Sequence, residues 1–143
     1  MAALPEALEA CKLDGFALAD CTRKQRDEDK LVLVAVHDTG LALQCASERL
    51  RDDEAIVNAA VATEGEALEH ASERLRGDAT IASIACMKAG WALRHCSTAL
   101  QDDDRVVATA VIQDGSSLKF ASNRLRSDAK FVGQHGGRAI LEA

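Results

Sequence analysis

Apolar and small residues recur at helical spacing, in two bursts within every 25 residues. In the stretch that starts at Gly40, Leu43, Ala46, Ser47 and Leu50 fall three or four apart. After a polar break the same holds for Asp53, Ile56, Val57, Ala60 and Val61. Spacing of this kind places each set on one face of a helix. Glycines mark the period, at Gly15, Gly40, Gly65, Gly90 and Gly115. With each glycine as position zero, position 3 is Leu in all five units (Leu18, Leu43, Leu68, Leu93, Leu118). Position 6 is Cys or Ala, position 7 is Thr22, Ser47, Ser72, Ser97 or Ser122, and position 10 is Leu except at Gln25. Position 16 is Leu31, Ile56, Ile81, Val106 or Phe131, and position 20 is Ala four times, then His135.

The pattern predicts an all-α chain. Each unit is a helix of about eleven residues carrying positions 3, 6, 7 and 10 on one face, a tight turn, and a second such helix carrying positions 13, 16, 17, 20 and 21. Asp53, Asp78 and Asp128, two residues after an Arg, stand where an N-cap of the second helix belongs. The glycine is expected to end that helix in a left-handed conformation. Helices this short are marginal alone and persist by stacking on neighbours, so the expected architecture is an α-solenoid with a 25-residue repeat. The array divides into a half repeat at 1–14, repeats at 15–39, 40–64, 65–89 and 90–114, and a partial last repeat at 115–143. Near the end, "GRAILEA" from Gly137 looks like a further unit start, three residues early.

Composition sharpens this picture. Apolar residues are 48% of the chain, aromatics 3%, and there is one Pro, so Ala, Leu and Val fill closely packed helices. A net charge of -6 disfavours nucleic acid as the main partner. There is no run of 18 apolar residues, which argues against membrane insertion. The start "MAALPEALEACKLDG" lacks the features of a secretory signal or a transit peptide. Five cysteines, at no disulfide-scaffold spacing, favour a reducing intracellular compartment, the cytoplasm.

The letters "AS-x-x-LR-x-D-x-x-VV-x-x-AV-x-x-x-G" carry a family resemblance. They are clearest in Ala46–Arg51, Asp53, Ile56–Val57, Ala60–Val61 and Gly65, and recur in Ala121–Arg126, Asp128, Val106–Val107 and Ala110–Val111. Nearly the whole chain resembles the repeats of domain of unknown function 4116. It departs in the first unit, where "CTRKQR" replaces "ASERLR", and at the truncated end. The resemblance implies an all-helical repeat and, since the family's activity is not known, carries no catalytic residues over to this chain.

Four groups of side chains are candidates for more than packing. The hydroxyl column is read as small residues at a close helix contact, each bonded to the carbonyl one turn back, since no fixed His accompanies it as a nucleophile's base would. The cations at position 9 (Lys24, Arg49, Arg74, Arg124) and position 11 (Arg26, Arg51, Arg76, Arg126) have acids beside them. They are read as a ladder of Arg–Asp pairs within and between repeats, against the alternative of a basic ridge for phosphate or an acidic peptide. Opposite the core face, position 1 holds Phe16, Leu41 and Trp91, and position 5 holds Cys45, His70, His95 and Phe120. Such a stripe is either a partner-binding ridge or a set of staples over the adjacent helix. Cys45, His70 and His95 also form a Cys/His/His column without a fourth ligand, read as polar surface rather than zinc. Cys11 with Cys21, and Cys86 with Cys96, flank Gly15 and Gly90 at matching offsets and are expected to face each other across the glycine turn, as packed thiols or as a disulfide.

These observations point to a non-enzymatic module for protein–protein binding or scaffolding, with no cofactor and a protein partner on the Phe16/Leu41/Trp91 side. The competing expectations are a purely structural subunit docked in a larger assembly, and a small metal- or ligand-binding protein. For the latter, the departures from the repeat, including His135–Gly136–Gly137, are the places to look.

Overall fold

The computed structural model describes residues 2–135, and they are all-helical, with no strand among them. Six α-helices carry the second half of each unit: α1 (Leu4–Leu13), α2 (Asp29–Asp38), α4 (Glu54–Thr63), α6 (Ala79–Lys88), α8 (Asp104–Gln113) and α10 (Ala129–His135). Positions 16, 17, 20 and 21 are the buried face of α2, α4, α6 and α8, as in Ile56, Val57, Ala60 and Val61 of α4. Asp53, Asp78 and Asp103 cap α4, α6 and α8 by accepting from amides of the first turn. Position 13 is therefore a cap and not part of the packed face.

The first half of the unit differs from the single helix expected of it. Residues Gly40–Cys45 form a 3-10 helix, Ala46 and Ser47 are extended, and a single α turn follows, α3 (Glu48–Arg51). The same break separates Gly65–His70 from α5 (Glu73–Arg76), Gly90–His95 from α7 (Thr98–Gln101), and Gly115–Phe120 from α9 (Asn123–Ser127). In the divergent first unit, Gly15–Asp20 is followed by a shorter 3-10 turn, Gln25–Asp27.

The long helices α1, α2, α4, α6 and α8 pack in sequence order, each on the next, and the 3-10 helices do the same. The 3-10 helices that start at Gly15, Gly40, Gly65 and Gly90 each sit on the long helix before and the long helix after, so the two rows close over one core. That core is Leu18, Leu43, Leu68 and Leu93 from one row and the Val, Ile and Ala residues of the other. The small position 2 column, Ala42, Ala67 and Ala92, is buried as well.

The glycines are not left-handed: no described glycine has a positive φ. The long helix ends one residue earlier, where position 24 turns extended while its N–H still reaches the position 20 carbonyl, as Glu64 does to Ala60. Glycine is required for space. A Cβ on Gly15, Gly40, Gly65 or Gly90 would lie 2.3–2.5 Å from the backbone oxygen of Ala35, Ala60, Ala85 or Ala110, 20 residues on in the same unit. The two backbones meet there, and the Ala at position 20 leaves room from the other side.

Candidate functional site

The hydroxyl column builds the seam between units. The Ser47 amide donates to Arg26 O at 3.0 Å, Ser72 to Arg51 O at 2.9 Å, Ser97 to Arg76 O at 3.1 Å and Ser122 to Gln101 O at 2.8 Å. That backbone bond to the preceding unit replaces the one a continuous helix would make, which is why the first helix breaks at position 7. The Ser Oγ then caps the α turn by accepting from the amide three residues on, as Ser72 does from Leu75. Its hydroxyl also donates across the seam to position 12: Ser47 to Asp27, Ser72 to Asp52, Ser122 to Asp102. The bond to a carbonyl one turn back, expected from sequence, is not made.

The position 9 arginine completes the same clamp. Arg74 Nε donates to Asp52 Oδ1 at 3.0 Å, Nη2 to the Asp52 carbonyl at 2.8 Å and Nη1 to Glu54 at 3.2 Å. Arg49 engages Asp27 and Asp29, and Arg124 engages Asp102 and Asp104, in the same way. The ladder of ion pairs thus runs between units. Ser47, then Arg49, holds the Asp27 carboxyl below its ordinary pKa; Ser72 with Arg74 and Ser122 with Arg124 do so for Asp52 and Asp102. Depressed carboxyls stabilise the fold above the unfolded value, near 4, and that contribution is lost as pH falls through the lowered folded values. The position 11 arginines stand apart: Arg26, Arg51 and Arg76 each bury Nε without a hydrogen-bond partner.

One seam lacks the clamp. Position 12 of the third unit is Gly77, position 14 is Ala79, and the facing position 9 is Ala99. The Arg is missing where its acceptors are missing. A Cβ on Gly77 would come no nearer than 3.5 Å to any neighbour and would lie 3.6 Å from Ser97 Oγ, so an acid fits. Gly77→Asp with Ala99→Arg should install the fourth clamp and raise stability by about 1 kcal/mol, with each single change giving less than half of it. Urea unfolding of the four chains measures this, and additive single effects would show that the clamp is not a unit.

The stripe at positions 1 and 5 becomes a diagonal set of contacts. Position 1 of one unit meets position 5 of the next. Trp91 lies edge-on to Phe120, with ring centroids 5.3 Å apart, and its indole N–H donates to Ser116 Oγ at 2.7 Å. Lys119 Nζ sits 3.7 Å from the Trp91 ring centroid. Glu66 accepts from Arg94 at 3.0 Å and pairs with His95 Nε2 at 2.9 Å. The repeat register places Phe16 toward Cys45 and Leu41 toward His70. Phe16 is 40% exposed, while Leu41, His70, Trp91, His95 and Phe120 are half-buried. Burial lowers the His70 pKa. The stripe is therefore part staple and part surface.

Cys45, His70 and His95 do not gather: among the described residues no three metal-ligating side chains cluster. The two thiol pairs do meet across their glycine turns as free cysteines. Burial, then Cys21, pushes the Cys11 thiol up to about 11. The hydrogen bond to Cys86, with burial, raises Cys96. Of His135–Gly136–Gly137, only His135 lies among the described residues, tilted against Phe131 at 4.9 Å; the "GRAILEA" start lies outside them.

Sequence reasoning missed a second, charge-poor surface. Positions 15, 18, 19 and 22 form the outward face of the long helices. They read Ala55, Asn58, Ala59, Ala62 on α4, Thr80, Ser83, Ile84, Met87 on α6, and Arg105, Ala108, Thr109, Ile112 on α8. Arg105 is the one charge among them, and Met87 and Ile112 are 68% and 72% exposed. The signal was present, since α4 and α6 lack at these positions the charges that a surface helix usually carries.

The model of the family described as domain of unknown function (DUF4116) matches residues 30–76 and again 56–101. Each window starts within a long helix and ends in the α turn that carries the seam, and the second lies about one unit beyond the first. No curated protein and no solved structure matches the chain. The two family matches together take in half of the sequence, and the chain belongs to the DUF4116 family.

Proposed function

We propose that the chain is a non-enzymatic α-solenoid module that binds a protein partner on the outer face of its 3-10 row. The observation that carries this reading is the contrast between columns. Packing and seam positions repeat their letters from unit to unit. Outward position 1 instead reads Phe16, Leu41, Glu66, Trp91 and Ser116, on a framework fixed by neighbours on both sides. An apolar side chain left 40% exposed at Phe16, beside half-buried Leu41, is the kind of surface that partners cover. Trp91 extends the same face, held in place by Phe120 and Ser116.

The test is affinity capture with a Phe16→Ser/Leu41→Ser chain beside the wild type, followed by mass spectrometry. The double variant is expected to keep its helical signal and melting temperature and to lose at least one protein that the wild type retains. An unchanged set of captured proteins removes this face as the binding site. A second reading, a structural subunit within a larger assembly, is favoured by the charge-poor outer face of α4, α6 and α8, where Asn58 Oδ1 is buried without a hydrogen-bond partner.

A further inference from the structure

We propose that the groove between the first and second units is a binding site for a phosphate group. Of the outer stripe only Cys45 also lines this groove, and the proposal stands or falls without the Phe16/Leu41 face. The groove has a volume of about 870 Å³ and is walled by Arg23, Lys24, Arg26 and Asp27 on one side and Glu48 and Arg49 on the other. That size lies within the ordinary range of small-ligand sites.

Its charge is what sets it apart. Asp27 is already committed to Ser47 and Arg49. Arg23, Lys24 and Arg26 have no ion-pair partner among the described residues, against one uncommitted acid, Glu48. Four cations and two acids give the lining a net charge of +2 in a chain whose total is -6. The equivalent groove one unit along, about 500 Å³, has Arg51 and Arg74 against Glu48, Asp52 and Glu73, a net charge of -1. The repeat therefore does not produce a basic groove by default.

The sequence explains the difference. Position 8, which is Glu48 or Glu73 in the next two units, is Arg23 here. Lys24 holds position 9, whose arginine elsewhere reaches back to acids at positions 12 and 14. The residues at those positions before the first unit are Ala2 and Leu4, so the ammonium has nothing to clamp. The buried Nε of Arg26 is no part of the difference, since Arg51 buries its own in the next groove. Two guanidinium forks and an ammonium lining one concavity match the several acceptor oxygens and double charge of a phosphate monoester or diphosphate. A long polyanion is a poor fit, because Asp29, Asp52 and Glu73 follow along the same edge.

The experiment titrates inorganic pyrophosphate, and separately a phosphoserine peptide and its unphosphorylated form, into the wild type and an Arg23→Glu/Lys24→Ser chain. Backbone amide shifts are followed by NMR at low and at physiological salt. The expected result is shifts confined to 23–27 and 45–49, weakened by salt and about tenfold or more weaker in the double variant. Binding of pyrophosphate alone identifies a small phosphorylated ligand. A phosphopeptide that outcompetes both pyrophosphate and its unphosphorylated form identifies a phosphorylated protein. The absence of shifts at millimolar concentration of either probe overturns the proposal. So does equal binding by the folded double variant, or equal shifts in the Arg51 groove.

Discussion

Gly65→Ala should destabilise the protein by about 3 kcal/mol or more, while Gly77→Ala should leave it unchanged or slightly more stable. The added carbon is the same in both. At Gly65 it would stand 2.3 Å from Ala85 O and 3.0 Å from both the amide nitrogen and the Cβ of Ala89. An ordinary C–H···O contact needs about 3.3 Å or more, so the two backbones must separate by about an ångström. No rotamer relieves the clash, because the obstructing atoms belong to the main chain. Separation at that point also pulls the Gly65–His70 helix off α6, opening the core within the third unit. At Gly77 the backbone has φ -96, a value any residue adopts, and the nearest neighbour to a Cβ is 3.5 Å away. There Ala only reduces the freedom of the unfolded chain. Urea unfolding of both variants, read by circular dichroism, checks this; matching midpoints would mean that the glycine column is not there for backbone contact.

That contrast also shows how far the sequence could be read. The 25-residue spacing of glycines was plain, and so was the need for glycine, but the customary reason for glycine after a helix, a left-handed residue, was the wrong one. Sequence spacing carries no information about which backbone, here one 20 residues on in the same unit, passes overhead. The long helices were legible to within a residue or two because their apolar face and their Asp caps are local signals. The break at Ala46–Ser47 was hidden, since "ASERLR" suits a helix interior as well as an N-cap followed by a turn. What decides it is the Ser47 amide bonding to Arg26 O, a contact 21 residues back. One long-range signal was in view and went unread: Arg is absent at Ala99 in the unit whose predecessor has Gly77 and Ala79 in place of acids. Pairing columns across units, rather than within one, exposes the clamp. The outer stripe was half legible for a related reason. Helical-wheel angles put Trp91 and His95 on the outside, yet only the stagger between neighbours puts Trp91 on Phe120 and His95 on Glu66.

Leu68→Ala should cost about 3 kcal/mol, and Leu118→Ala less than half of that, although both truncate the same letter at position 3. Leu68 is fully buried, enclosed in the core between α4 and α6. Removing three carbons there leaves a cavity lined by residues of two units, and seams with 2.9 and 3.1 Å backbone bonds on either side limit how far the walls can collapse. Leu118 is only partly buried and packs at the edge of the same core. Its truncation exposes a surface to water instead of enclosing a void. In a stack where each unit touches only its neighbours, stability is a sum of unit and interface contributions, so a residue shared by two interfaces should weigh more than its counterpart near the end. Equal losses from the two variants, by urea unfolding at matched slope, would mean that each unit holds its leucine alone, and that the seam clamps set the order of the units without stabilising them.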